Sequence, residues 1–427
     1  DDAVSLERKN GNTVLYVHIA DVSAYVEPGS PLDREAMSRG TSYYLGNRVI
    51  PMLPEVLSND LCSLVAGKDR FTLTAELTLG SDGRTVSSRF HRGVIKVDKR
   101  LTYENAAGVI AGKSRTHVAS MLRAMSALAE SMKRHRMTKG RVDLTLTDQE
   151  IIYKGETTAD IRFAARLSSH MLIEEFMLTA NEAASKTLRE KNIPALYRIH
   201  EDISMDKLFA LKSFLATIGI QLRDSDNTGL AIQSIVDGVA GGQYQQVVNM
   251  VVLKSFMQAF YGVKPVGHFG LGFRDYTHFT SPIRRYPDLV VHRCIKSIID
   301  GERPPYTEQE LVSIAEKSSE TERIAQSAER DFVRLKSCRL MSGRIGETFD
   351  VVVSGISRYG MYVSMLEKPV EGFIPLRALT DDFYLVNEDD YTIIGRRFGR
   401  RFRIGDKIKA RLTGADIYTS RIDFDIA

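Results

Sequence analysis

The chain has 427 residues, 26% charged and 43% hydrophobic, and a formal net charge of +4. That length allows two or three domains around a sizeable core. A pI near 8.7 permits nucleic-acid binding without demanding it, so the placement of charge matters more than its sum. Three separated cysteines, Cys62, Cys294 and Cys338, form no Cys-x-x-Cys pair. This argues against a disulfide scaffold or a zinc site and for free thiols in a reducing compartment. No apolar run reaches the ~20 residues of a spanning helix and no signal peptide is visible, so the expected location is cytoplasmic with no membrane partner. The chain opens on Asp-Asp rather than Met, which reads as a fragment or processed product.

In chain order, Lys9–Asn12 reads as a hairpin turn before a strand at Thr13–Ala20. Arg39–Leu64, rich in Pro, Gly and aromatics, is too irregular for a helix. Strands follow at Arg70–Leu79 and Thr85–Val97 around Ser81-Asp82-Gly83. Thr116–Met137 is an amphipathic helix with Val118, Met121, Leu122, Met125, Leu128 and Met132 on one face, a core stripe. Its basic end, Lys133–Arg136, complements the helix dipole and is a candidate to face RNA. Helices are expected at Ser169–Lys191, Met205–Gly219 and Thr307–Met341. Beyond Gly343, short alternating runs punctuated by glycines predict a small five-stranded barrel. Ile394–Lys407 interleaves arginines with aromatics, a pattern suited to nucleic acid.

The densest stretch is Gly267–Arg293. Ser281-Pro282 has the form of a helix start, with the serine capping and proline in the first position. Arg284 and Arg285 then fall in the first turn, against the helix dipole, which makes sense where an anion binds. Pro287 is expected to interrupt that helix before a second segment, Asp288–Asp300. On local physics alone, a capped surface helix with two solvated arginines is the alternative.

The run THFTSPIRRYPDL resembles the signature of the ribonuclease II and ribonuclease R family, with ribonuclease R the nearer. YVHIADVSAYVEPGSPLDREA, IPMLPEVLSNDLCSL, LIEEFMLTANEAAS and ALYRIHE resemble the same family. SRYGMYVSM and VEGFIPLRAL resemble the OB-type RNA-binding domain named after the largest protein of the small ribosomal subunit. The resemblance implies an α+β fold: an RNB-type catalytic domain over 1–341 and an OB barrel over 342–427. It implies 3′→5′ hydrolysis of single-stranded RNA from its 3′ end to nucleoside 5′-monophosphates, with Mg²⁺, by a monomer.

The same resemblance assigns roles to residues. Asp1-Asp2-Ala3 matches the last three positions of the family's acidic motif, which makes Asp1 and Asp2 the metal and water-activating carboxylates. The two earlier aspartates of that motif are absent from this chain. Arg284 is the arginine needed for cleavage, and Arg285 beside it an RNA contact. Tyr44, in preference to Tyr43, stacks at the RNA 3′ end. Leu144 stands where relatives place a phenylalanine, which keeps an apolar wall and loosens the terminal clamp. Glu329 matches a glutamate near the terminal ribose. In the barrel, Tyr359, Tyr362 and Phe373 offer stacking faces. His200, His278 and His292 lack metal-ligand spacing and read as structural. The rival function is a non-catalytic RNA-binding protein with an incomplete metal site, and a more distant one is an endonuclease.

Overall fold

A computed structural model describes residues 1–114, 116–144, 149–242, 244–387 and 391–427. Strands β1 (Asp2–Lys9) and β2 (Asn12–Ala20) are joined at Asn10 and Gly11, whose φ of 51° and 82° are the two left-handed residues a tight hairpin needs. Helix α1 (Pro31–Arg39) begins at Ser30, whose hydroxyl accepts the Asp33 N–H. The hairpin β3 (Tyr43–Leu45) and β4 (Arg48–Ile50) follows, then a π-helical turn at Val56–Leu61, so the stretch expected to be irregular holds short regular pieces. Strands β5 (Asp69–Leu79) and β6 (Thr85–Lys96) complete an antiparallel sheet ordered β1-β2-β5-β6.

Next come α2 (Tyr103–Ile110), α3 (Ala119–Met137), the hairpin β7 (Gln149–Lys154) and β8 (Thr157–Phe163), and α4 (Ser168–Glu190). After β9 (Tyr197–Ile199) lie α5 (Met205–Thr217), α6 (Thr228–Gly238) and α7 (Gln245–Ser255), which share one apolar cluster. Strand β10 (Phe260–Gly262) pairs with β9. Helices α8 (Tyr286–Asp300) and α9 (Glu308–Ser342) close this part, α9 opening on a Thr307/Glu310 capping box.

The main core joins Leu15, Val17, Leu73 and Leu77 of the sheet to Phe176 and Ala180 of α4 and to Leu289, Val290 and Ile295 of α8. Each large aliphatic group buried there contributes about 1.5–3 kcal/mol as an upper figure. All three cysteines are buried and free. Burial pushes the Cys62 and Cys294 thiols up to about 12, which leaves them unreactive.

The C-terminal strands are β11 (Thr348–Ser357), β12 (Gly360–Met365), β13 (Glu371–Pro375), β14 (Tyr384–Asn387), β15 (Thr392–Gly395), β16 (Arg401–Arg403), β17 (Lys407–Asp416) and β18 (Arg421–Ile426). Five of them close a barrel ordered β11-β12-β13-β18-β17, and β14–β16 form a separate three-stranded sheet inserted in it. Apolar packing and an ion pair between Lys368 and Asp160 of β8 fix the barrel to the rest of the chain. Cys338 and Met341 of α9 enter its core, and Ile404, Ile356 and Tyr391 pack on the α5–α7 cluster.

Candidate active site

Helix α8 starts at Tyr286, with Arg285 as its N-cap and Pro287 in its first turn. The sequence expectation placed that start at Ser281, with Pro287 as the break. Proline lacks only an N–H that the first turn leaves unused, so Pro287 opens the helix instead. Ser281–Arg285 is a tight turn: the Ser281 carbonyl accepts the Arg284 and Arg285 N–H groups at 3.3 and 3.0 Å.

Two sets of bonds hold this turn. The Arg284 carbonyl accepts Ser42 N–H and Thr41 Oγ1–H, each at 3.0 Å, and Tyr286 N–H donates to Gly40 O at 3.0 Å. Gly40 has a φ of 69°, and a Cβ there would stand 2.0 Å from Thr321 Oγ1 of α9, so only glycine lets this strip pass so close. From the other side, Asp288 accepts the Ser281 N–H at 2.8 Å and both Arg285 donors at 2.8 and 2.7 Å. Burial opposes the Arg285 charge, but the Asp288 carboxylate outweighs it and holds the guanidinium well above its ordinary range. Arg285 is thus an internal strut, and the sequence expectation of a first-turn anion contact does not describe it.

Arg284 is left as the projecting cation. Its side chain is 42% exposed, its Nη2 donates to Ser281 Oγ at 3.1 Å, and its Nε lies 3.9 Å from Asp1 Oδ2. Burial, then the neighbouring Arg285 charge, lowers its pKa, the condition of a guanidinium short of anions. Asp1 is held by its carbonyl, which accepts the Ala20 N–H at 2.9 Å. Its side chain is 12% exposed, whereas Asp2 is exposed at the first position of β1. Both line an open cleft of about 680 Å³ that also receives His18, Arg100, Tyr103 and Met121.

Tyr44 lies on β3, exposed, while Tyr43 is half-buried. The Tyr44 N–H donates to Glu329 Oε1 at 3.1 Å, so two candidates 285 residues apart in sequence meet directly. Glu329 therefore holds the backbone of the exposed tyrosine. Leu144 packs instead against the α5–α7 cluster, in a segment without regular structure pinned by Val142 N–H on Gly270 O at 3.1 Å.

The basic end of α3 differs from expectation. Arg136 is buried, bonded to Glu175 at 3.0 Å and set 4.6 Å over the Phe273 ring, and Lys133 pairs with Asp143. Arg136 and Lys133 thus serve internal ion pairs, while Arg134 stays exposed. His200 Nδ1 accepts the Gly270 N–H, His278 Nδ1 shares a hydrogen bond with Tyr261 Oη, and His292 donates its Nε2–H to Phe279 O, consistent with structural roles.

On the barrel, Tyr362 and Phe373 are register partners on β12 and β13, with ring centroids 5.0 Å apart. Arg421 lies 5.5 Å over Phe373 and Arg358 lies 4.7 Å over Tyr359. Tyr359 and Tyr362 are 64% and 51% exposed, so their rings are available for stacking. Sequence reasoning missed Asp288 and the Gly40–Ser42 strip. An acid three residues after Arg285 in a helix start was the one visible hint.

Comparison with known proteins gives this geometry a context. The RNB domain matches residues 1–301 and the S1 RNA binding domain matches residues 343–427. The chain is 38% identical over 439 residues to Ribonuclease R of Thermotoga maritima, covering 99% of this chain and 62% of that protein. It is 37% identical over 439 residues to Ribonuclease R 1 of Lactococcus lactis, covering all of this chain and 54% of that one. The chain therefore spans a little over half the length of these relatives. Among solved structures, Mycoplasma genitalium RNase R in complex with ribose methylated single-stranded RNA superposes with a TM-score of 0.94 at 29% identity, covering all of this chain and 68% of that one. With the RNB match running through the acids, the Tyr44 hairpin and the Arg284 turn, the chain belongs to the RNB-domain family and carries an S1 RNA-binding domain behind it.

Proposed function

We propose that this chain is the catalytic portion of a 3′→5′ exoribonuclease that hydrolyses single-stranded RNA processively to nucleoside 5′-monophosphates. The observation that carries the reading is the Arg284 guanidinium standing 3.9 Å from the carboxylate of Asp1, which lines the cleft, with Tyr44 exposed and close enough to Arg284 to act on its charge. Arg284 takes the non-bridging oxygens of the scissile phosphate, where a planar fork bonds two oxygens at once. Tyr44 stacks on the terminal base while Glu329 fixes its backbone. Arg285 acts through Asp288 by shaping the turn, and Leu144 supplies an apolar wall. Tyr359, Tyr362 and Phe373 grip the incoming strand. The M. genitalium relative bound to ribose methylated single-stranded RNA supports single-stranded RNA as the ligand. Contacts to 2′-OH groups favour RNA over DNA.

Asp1 and Asp2 fit a divalent cation as two of its donors, both lining the cleft beside Arg284. Two carboxylates, waters and substrate phosphate make a normal Mg²⁺ donor set. When bound, such an ion supplies a Lewis acid and an activated water. We place the catalytic domain over 1–341 and the barrel over 342–427, and the protein in the cytoplasm as a monomer.

One observation favours a second reading: among the described residues no group of three or more His, Cys, Asp or Glu side chains stands together as a metal cage. A non-catalytic RNA-binding protein has that property. Incubation of labelled single-stranded RNA with the protein and Mg²⁺ separates the two. Mononucleotide release carries the exonuclease, tight binding without release carries the rival, and internal fragments indicate an endonuclease.

A further inference from the structure

Glu329, Phe332 and Lys336 fall at i, i+3 and i+7 on α9 and so share one face. Glu329 accepts the Tyr44 N–H at 3.1 Å, which pins β3 at one point and leaves it free to pivot. Two residues on, Gly46 opens the β3–β4 turn with a φ of 66°. A Cβ there would stand 1.9 Å from Tyr153 Oη, 2.9 Å from Phe332 Cε1 and 3.0 Å from Tyr153 Cζ, so the backbone of the turn rests directly on two rings. This second contact, set apart from the first, removes the pivot.

Tyr153 is aimed at the turn by its own hairpin. The β7–β8 register shifts between Ile152 and Tyr153, and such an irregularity re-aims a strand side chain. Lys336, 9% exposed, places its ammonium 5.4 Å from the Tyr153 ring centroid and 5.1 Å from that of Phe332, holding the two rings side by side. On β8, Asp160 pairs with Lys368 of the barrel and Ile161 is fully buried, so the hairpin is anchored behind Tyr153. The Tyr153 hydroxyl is buried and has no hydrogen-bond partner among the described residues. An unpaired buried hydroxyl costs stability, and a phenylalanine would avoid that cost. What the hydroxyl supplies instead is reach: Oη is the atom nearest the Gly46 position.

The Tyr44 ring is 46% exposed, so packing of its own side chain does not fix it, and its place near Arg284 depends on where the hairpin backbone sits. We propose that Tyr153 is a positioning residue for the 3′-terminal stack: its hydroxyl, with the Phe332 ring, sets the seat of Gly46 and through it the place of Tyr44. Tyr153 acts through the backbone and touches no RNA. The inference rests on the stacking role given to Tyr44 above. The alternative, that Tyr153 only fills space between β7 and α9, predicts a loss of stability and no change in the stack.

The test uses the full chain in EDTA and a single-stranded RNA of about 8 nucleotides whose 3′ nucleotide is 2-aminopurine, a base whose fluorescence falls when it stacks. Tyr153→Phe removes only the unpartnered hydroxyl, so its thermal melt should stay at or above that of the parent. Its dissociation constant should nevertheless rise about threefold, and the quench on binding should fall by about half. Added to Tyr44→Ala, which itself abolishes the quench, Tyr153→Phe should change affinity by less than about 1.5-fold, because it acts through that ring. Gly46→Ala should weaken binding about tenfold, and Gly46→Ala/Tyr153→Phe should recover at least about threefold of that, because the atom nearest the added methyl is gone. Four results each overturn the positioning role and leave the Tyr44 stack and the exonuclease reading standing. They are a Tyr153→Phe variant with the parent's quench and affinity, one that melts well below the parent, an effect undiminished in the Tyr44→Ala background, and a double variant no better than Gly46→Ala. A parent that does not bind the RNA, or a Tyr44→Ala variant that keeps the parent's quench, overturns the stack and this inference together.

Discussion

The Ser281–Arg285 turn and the aromatic face of the barrel both carry groups suited to RNA, yet they are built in opposite ways. The turn is interlocked: one carboxylate, Asp288, holds Ser281 and Arg285, and one carbonyl, that of Arg284, is held from the Gly40–Ser42 strip. The barrel face has rings that stand on separate strand positions and keep much of their surface in solvent. Reaction at one phosphate needs a cation fixed within fractions of an ångström, whereas holding a sliding strand needs several weak, interchangeable contacts. Damage should therefore propagate through the first region and add up in the second.

The largest break in that contrast comes from Asp288→Asn. It leaves the Arg285 guanidinium buried without its counter-charge, a change that costs about 3–5 kcal/mol. Denaturant unfolding should show that loss, and it should shrink when Arg285→Met is added. A melt within error of the parent would mean the turn does not depend on this pair.

Substitutions on the barrel sharpen the other half. Tyr362→Ala and Phe373→Ala should each weaken single-stranded RNA binding by up to about 1–3 kcal/mol per lost stack, with little change in unfolding. Filter binding measures the first and thermal melting the second. An effect on unfolding as large as that of Asp288→Asn would erase the distinction between the two regions.

The smallest expected effect is on acid stability. Burial, with His91 nearby, lowers the His18 imidazole to about 4, and burial with His200 nearby lowers His268 to about 3. Unfolded imidazoles titrate near 6.5, so below that pH the unfolded chain binds more protons and stability falls as pH falls. Each imidazole contributes at most about 1.4 kcal/mol per pH unit, and the loss runs from about pH 6.5 down to the folded values. Urea midpoints taken from about pH 7.5 to about pH 5 should fall at the acid end. A flat profile would mean that these imidazoles are solvated.

Much of the fold was legible where local pattern and tertiary structure agree. Asn10-Gly11 specifies its own hairpin, the capping box at Thr307 starts α9, and glycine-punctuated alternation outlines the barrel. Local pattern misled where a partner arrives from far away. Arg136 looked like a surface charge at a helix end until Glu175 and Phe273 came to it from other elements. The helix start at Tyr286 rather than Ser281 depends on Gly40 and Thr41, 243 or more residues earlier in the chain. The three-stranded insert was unexpected because its strands are only three or four residues long, too short for alternation to stand out. Of the site, Arg284, Tyr44 and Glu329 were named from resemblance, but that Glu329 holds Tyr44 N–H is a contact no single-chain pattern encodes.

The central claim is that Asp1 and Arg284 act on the same phosphodiester, and a double-mutant cycle in single-turnover cleavage tests it most directly. Asp1→Asn and Arg284→Ala should each slow cleavage by about 10²–10³-fold. The double variant should be little slower than the worse single, because groups that act as a unit are not additive. Losses that multiply to about 10⁴–10⁶ would show two independent contributions and contradict the account.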